Sequence, residues 1–334
     1  MNKRYDLGGL YMVGLPGLVL DDSTRSLIVD HGVRHFILFK RNVEEPGQLR
    51  ALCRDLTAAC RAAGLPAPLI SIDQEGGTVA RLKQPHFTEF PDACRLAADP
   101  RAEELLAEYA RTSAAELLGV GINMNLAPVL DVSPAGQGLF MERRSLGGDP
   151  EAVARLGALV IATMQENRLA ACAKHFPGLG AATLDPHEVL PVVDRPAAAI
   201  RANDLVPFAA AIQAGVAGVM TSHTVYPHLD PGRPATLSPR ILTGLLREEL
   251  GYAGLIVTDD LEMGAIEKEG AVAEASLAAF QAGADLLLIC HEHHKVVASL
   301  ARLQEEAAAG RLSPERLAVS LARIEAVRGR FAAG

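Results

Sequence analysis

Short, continuously apolar runs rich in Val, Ile and Leu recur along the chain, separated by longer stretches of Ala, Leu, Glu and Arg with helical spacing. The runs occupy 8–14, 33–39, 68–72, 122–128, 169–175, 216–222, 254–258 and 284–290. A strand with one wet face alternates apolar and polar residues. These runs do not, so they read as strands buried on both faces. Buried strands alternating with helices predict a parallel sheet, and eight βα units are the number that closes one into a barrel. The expected fold class is therefore α/β, a (β/α)8 TIM-type barrel, with residues 1–334 forming a single barrel domain and no low-complexity linker dividing them. An open doubly wound sheet is the alternative, but it usually shows a Gly-rich first turn, and LPGLVLDD (15–22) matches that poorly. Near the end of the chain, Ser313 and Pro314 mark a helix start, and Leu317, Leu321 and Ile324 then repeat at i, i+4, i+7. This predicts an extra C-terminal helix whose apolar stripe packs on the core.

Composition narrows the class. Hydrophobic residues make up 49% of the chain and charged ones 22%, enough apolar surface for a large core and no basis for disorder. The formal net charge of −8 argues against general electrostatic attraction to nucleic acid or to an anionic membrane, so neither is expected as a partner. Five cysteines without a CxxC pair suggest neither a disulfide framework nor a structural zinc site, and fit a reducing, cytoplasmic setting. The opening MNKRYDLGGLYMVGLPGLVLDD is read as a first strand instead of a secretory leader, because Asp6 and Pro16 interrupt the leader pattern. No segment offers the roughly 18 apolar residues that span a bilayer.

In a barrel of this type the active site is built from the loops that follow the strands. Those loops are unusually polar here: Lys40-Arg41-Asn42, Asp73-Gln74-Glu75-Gly76-Gly77, Asp131, Lys174-His175, His223, Asp259-Asp260 and His291-Glu292-His293-His294. An Asp at a strand end often only caps the next helix. The coincidence of ionisable groups on most strands is what points to one functional rim. Mixed carboxylates, Arg and His with few aromatics suit sugar hydroxyls, and cleavage of a glycosidic bond needs two carboxyl groups or an equivalent pair. HEHH lacks the i, i+4 histidine spacing of a zinc-protease helix, so these residues are read as loop and no metal is expected. No cofactor is expected either.

The segments KHFPGLGAATLDPHEVLP (174–191) and ISIDQEGGTVARL (70–82) resemble family 3 glycoside hydrolases, specifically the single-domain bacterial β-N-acetylglucosaminidases (β-hexosaminidases) of peptidoglycan recycling. The similarity continues in order through FILFKRN (36–42), NLAPVLDV (125–132), RRSLGGDP (143–150), VMTSHTVYP (219–227) and LIVTDDLEMGAI (255–266). The resemblance implies a barrel that removes terminal β-linked N-acetylglucosamine with retention, through a covalent glycosyl-enzyme. It implies Asp259 as nucleophile, with Asp260 in a supporting or capping role, and an Asp-x-His acid/base dyad at Asp185 and His187. Histidine, with an unperturbed pKa of about 6.5, suits proton transfer near neutrality, and a carboxylate on its other nitrogen would fix the tautomer. The implied substrate contacts are Asp73, Arg81, Arg144, Lys174 and His175, and the implied partner is a small carbohydrate containing N-acetylglucosamine. Asp131 is read as a buttress outside the site.

The spacing of Asp73 and Arg81 suggests a strand end followed by a turn into a helix, with Gly76-Gly77 permitting close approach or positive φ. Three residues depart from the family pattern: Leu179 replaces a His, Ala181 an Asp, and Pro186 a Ser inside the dyad. Pro186 should stiffen its loop. Alternatives within the family are a glycoside phosphorylase and a β-glucosidase. Outside it are a Schiff-base aldolase using Lys174 and a degenerate sugar-binding protein.

Overall fold

The computed structural model describes residues 5–182, 190–267 and 271–332. Eight parallel strands close into a barrel in chain order: β1 (Tyr11–Gly14), β2 (His35–Leu38), β3 (Ile70–Ile72), β4 (Met124–Asn125), β5 (Ala170–Phe176), β6 (Gly218–Thr221), β7 (Leu255–Asp260) and β8 (Leu286–Ile289). Each falls on one of the apolar runs, and β1 pairs with both β2 and β8, so no edge is left open. The fourth ladder is the shortest. Pro128 has no N–H to give, and the Asn125 side chain turns away to bond the main chain at Gln74.

Helices α1 (Asp22–His31), α2 (Pro46–Ala62), α3 (Ala102–Gly119), α4 (Pro150–Glu166), α5 (Leu205–Gln213), α6 (Arg240–Glu249) and α7 (Val272–Ala282) return the chain between strands, and α8 (His293–Ala308) follows β8. Their starts follow the chemistry of unpaired N–H groups: Asp21, Glu45 and Asp149 accept from the first turns of α1, α2 and α4, and Pro46 and Pro150 sit where no N–H is needed. The additional helix α9 (Pro314–Phe331) is capped by Ser313 and buries Leu317 and Ile324, as the heptad-like spacing predicts. His293 and His294 open α8, so the reading of all three HEHH histidines as loop residues holds only for His291. The start of a helix is legible from caps, and Glu292 makes no side-chain cap bond that would have announced it.

The barrel is filled from below. Met12, Ser71, Met124 and Cys172 are fully buried, and the Ser71 hydroxyl donates to Met12 Sδ at 3.0 Å. A Cβ at Gly218 would lie 3.1 Å from both Cys172 Sγ and Met124 Cε, so glycine keeps room for these side chains. Asp285, just before β8, fastens α9 to the opposite end of the barrel from the polar loops. Its carboxylate is wholly buried and accepts from Arg247 at 2.5 Å, Arg316 and Arg323 at 3.2 Å, Ser320 Oγ at 2.7 Å and Ile256 N at 3.0 Å. No described helix is long and apolar enough to cross a membrane.

Removing one side of a buried ionic cluster leaves the other side uncompensated. Asp285→Ala is expected to lower unfolding free energy by about 3–5 kcal/mol, read from denaturant midpoints. Because Asp285 lies far from the polar loops, the fraction that remains folded is expected to keep its ligand affinity.

Candidate active site

The chain leaves β3 at Asp73 and does not enter the helix suggested by the sequence spacing. Gln74–Gly76 instead folds back on Val79–Ala80 as a small antiparallel hairpin. Gly76 and Gly77 make the turn with φ of 98° and 54°, values that L side chains rarely adopt. Gln74 clamps the base of the hairpin: its Oε1 accepts from Arg81 N at 2.9 Å and Leu82 N at 3.0 Å, and its Nε2 donates to Leu82 O at 2.9 Å. The fold-back delivers Arg81 beside Asp73, at 3.1 Å.

Lys174, near the end of β5, extends into the same place. Its ammonium lies 2.8 Å from Asp73 Oδ1 and 2.6 Å from Glu75 Oε1, with the side chain only 2% exposed. Arg144, from the loop after β4, closes the row with two bonds to Glu75, 2.9 Å from Nε and 2.7 Å from the terminal nitrogen. The result is an alternating chain, Arg81–Asp73–Lys174–Glu75–Arg144, with three cations and two carboxylates. Burial alone would raise the carboxylate pKa values, but Arg144 and Lys174 outweigh it and hold Glu75 far below the carboxylate range. For Asp73 the same contest is won by Lys174 and Arg81, which keep it ionised. Burial pushes the Lys174 ammonium down, and Asp73 and Glu75 more than reverse that. A Schiff-base lysine needs the opposite shift, so the aldolase alternative does not fit these surroundings.

His175 is set by Asp131. Asp131 Oδ2 lies 2.8 Å from His175 Nδ1, and Asp131 Oδ1 accepts from His175 N at 3.2 Å and Leu179 N at 2.6 Å. A carboxylate only accepts, so Nδ1 carries hydrogen and Nε2 is the ring's open position. Asp131 is fully buried and acts as the buttress expected of it.

Across the barrel mouth, β7 changes register against β8 between Val257 and Asp260. Thr258 Oγ1 substitutes for a ladder carbonyl and accepts from Leu288 N at 2.9 Å, and the irregularity turns Asp259 toward the mouth. Asp259 Oδ1 accepts from Asp260 N at 2.8 Å. Asp260 caps the following turn, taking Glu262 N at 3.1 Å and Cys290 N at 3.2 Å.

Asp73, Arg81, Arg144, Lys174, His175 and Asp259 all line one cleft. Six residues named from sequence, drawn from four strands, are thus brought together. Asp185 and His187, the expected acid/base dyad, lie outside the described residues, as does Pro186. Leu179 is buried at the root of that segment and Ala181 is half-buried, packed against the core. Glu75 was missed as a site residue. Its signal was present in the sequence, because in an extended segment residues two apart face the same way, and Glu75 stands two beyond Asp73. The Lys40-Arg41-Asn42 turn is more structural than its charge suggests. Buried Asn42 bonds Phe39 N, Leu15 O and Gly17 O, and Arg41 donates to Leu15 O at 2.7 Å and Cys290 O at 2.5 Å. Phe39 and His291 form the adjoining cleft wall, with ring centroids 5.7 Å apart.

Fold and cleft together define a (β/α)8 barrel enzyme whose strand ends present fixed charge to a polar ligand opposite the adjacent carboxylates of Asp259 and Asp260. The family model described as "Glycosyl hydrolase family 3 N terminal domain" matches residues 4–327, and the chain belongs to glycosyl hydrolase family 3. It is 37% identical over 300 residues to a protein of Thiobacillus denitrificans named beta-hexosaminidase, covering 88% of this chain and 82% of the relative. A beta-hexosaminidase of Pseudomonas aeruginosa is 38% identical over 296 residues, with coverage of 89% and 86%. Among solved structures, the family 3 β-N-acetylglucosaminidase of Paenibacillus sp. superposes with a TM-score of 0.93 at 40% identity. That match covers all of this chain, which spans 64% of the Paenibacillus chain. The β-N-acetylhexosaminidase of Beutenbergia cavernae matches with a TM-score of 0.88 at 32% identity, with 97% of each chain covered.

Glu75 has a folded pKa below its unfolded value of about 4.3, so its contribution to stability is complete above that pH and is lost as pH falls through the folded value. Glu75→Gln removes this linkage. Wild type is expected to lose stability more steeply than the variant below about pH 5. The gap between their urea midpoints is therefore expected to be largest near neutrality and to shrink on acidification.

Proposed function

We propose that the protein is a retaining exo-β-N-acetylglucosaminidase that hydrolyses terminal β-linked N-acetylglucosamine from cell-wall muropeptide fragments, and that the one barrel holds its whole active site. The observation that carries this reading is the shared cleft: the Asp259 carboxylate faces the Arg81–Asp73–Lys174–Glu75–Arg144 row in a family 3 chain whose relatives bear the names given above. Five free thiols support assignment to the reducing cytoplasm.

In this reading the row grips the sugar hydroxyls. Carboxylates accept from them, Arg81 and Lys174 supply donors already held in place by Asp73 and Glu75, and His175, its ring fixed by Asp131, presents Nε2 as an acceptor. An Asp259 oxygen attacks the anomeric carbon as the bond to the aglycone oxygen breaks. The departing oxygen keeps the electron pair and takes a proton from His187, whose other nitrogen is held by Asp185. Water then attacks the same carbon and gives a proton to His187. The ester bond breaks and its electrons return to Asp259, so the net change is hydrolysis with retained configuration.

A panel of aryl β-glycosides differing at the 2-substituent tests the substrate class, with added phosphate reporting any sugar 1-phosphate. Turnover confined to the 2-acetamido member, with free sugar as product, is the expected result. Preference for the 2-hydroxy member or phosphate-dependent product would replace the reading with one of its family alternatives. Asp259→Ala is expected to bring every member to background. His187→Ala is expected to cost about 10²–10⁴-fold on poor leaving groups and less than about tenfold on a dinitrophenyl leaving group, which needs little protonation. Equal losses on both would remove His187 from the acid role.

A further inference from the structure

His223 follows β6 and takes no part in the reaction just described. It is 1% exposed, and both ring nitrogens have partners: Nε2 lies 2.8 Å from the Asp260 carbonyl oxygen and Nδ1 lies 2.7 Å from Thr236 Oγ1. A carbonyl only accepts, so Nε2 carries the hydrogen. Burial lowers the imidazole pKa despite the nearby Asp259 and Asp260 charges, so the ring is neutral and Nδ1 is an acceptor. The Thr236 hydroxyl therefore donates to Nδ1. Its single hydrogen is shared with the Ser222 carbonyl oxygen, which accepts at 3.0 Å, and Thr221 Oγ1, 2.7 Å away, donates to the Thr236 oxygen. Thr221, Ser222, His223, Thr224 and Thr236 are all buried, so this polar knot does not exchange partners with solvent.

The knot acts on the residue that follows the irregularity in β7. Asp260 is held at each of its polar groups: its carbonyl accepts from His223 Nε2 and, at 3.0 Å, from Met263 N; its carboxylate accepts from Cys290 N and Glu262 N and lies 3.4 Å from His291 Nε2; and its own N–H donates to the Asp259 carboxylate. The first two fix the direction of the third. We propose that His223, with its Nε2–H directed at the Asp260 carbonyl and its ring held from the other side by Thr236, is a positioning residue that orients the Asp259 carboxylate through Asp260. This rests on the reading of Asp259 as nucleophile. Such a residue acts on the reaction step and not on ground-state sugar binding, because it touches neither the cleft's cationic row nor its hydroxyl-binding carboxylates.

The test compares His223→Leu and Thr236→Val with His223→Gln and Thr236→Ser on whichever aryl glycoside the wild-type protein turns over. Gln places an N–H near the Nε2 position, and Ser keeps the hydroxyl. The first pair is expected to lose kcat by about 10²-fold with KM changed by less than about twofold, the scale of a 1 Å misplacement. The second pair is expected to recover kcat to within about fivefold of wild type, with thermal midpoints recorded for all four. A second arm uses Asp259→Ala with azide, which forms the bond to the anomeric carbon as the aryloxide leaves with the electron pair. Adding His223→Leu there is expected to change nothing, since no carboxylate remains to be oriented. Unchanged kcat in His223→Leu and Thr236→Val, or an equal loss in the azide-rescued background, overturns the proposal. Turnover surviving in Asp259→Ala without azide instead overturns the assignment of the nucleophile.

Discussion

The site depends on one buried ammonium. Lys174, with 2% of its side chain exposed, stands between Asp73 and Glu75 and is, among the described residues, the one cation bonded to both carboxylates. Desolvating three charges costs more than an isolated pair recovers, and the row is stable because Arg81 and Arg144 extend it at both ends. Each carboxylate thereby has two cationic partners. The geometry that satisfies them also spreads donors and acceptors along one wall of the cleft. Electrostatic necessity and ligand recognition are met by the same arrangement.

Rigid strand ends supply the coordinates. Lys174 and His175 sit on β5, Asp73 follows β3, and Asp259 lies within β7, so their separation is set by the barrel and not by loop conformation. Where the strand direction is wrong for the task, the backbone departs from regularity. The hairpin at Gln74–Ala80 returns Arg81 to Asp73, and the register change in β7 turns Asp259 inward. Both departures are closed by side chains that replace missing ladder partners, Gln74 in one case and Thr258 in the other. The polar cost of irregularity is thus met within a few residues of where it arises.

The barrel was legible because strands buried on both faces leave continuous apolar runs, and all eight runs became strands. Polar residues after those runs named most of the cleft for the same reason: nothing apolar is required of a strand end. What escaped was non-local. The fold-back after Asp73 depends on Gln74 reaching Leu82, and a spacing of eight residues fits a turn into a helix equally well. Glu75 escaped because its partners, Arg144 and Lys174, are distant in sequence. The helical start at His293 carried no side-chain cap to announce it. Conversely, Arg41 and Asn42 looked available because charge and amide groups are conspicuous, yet their hydrogen bonds are largely consumed by main-chain carbonyls.

The floor of the cleft explains why so few charges suffice. Ile37, Leu126, Met220, Leu288 and Cys290 line it beneath the polar groups, and burial pushes the Cys290 thiol far above its usual pKa. That floor has little capacity to screen, so a carboxylate at Asp259 and a cationic row opposite it interact through a medium of low polarisability. A ligand that fills the cleft removes the remaining water and strengthens every one of these interactions at once. In the proposed reaction, charge developing on a bound ring near Asp259 would meet groups that are already oriented, with no reorganisation needed at the moment it forms. The apolar floor and the ionic row therefore work as a pair: without the floor the charges would be screened, and without the row the floor would bind nothing polar.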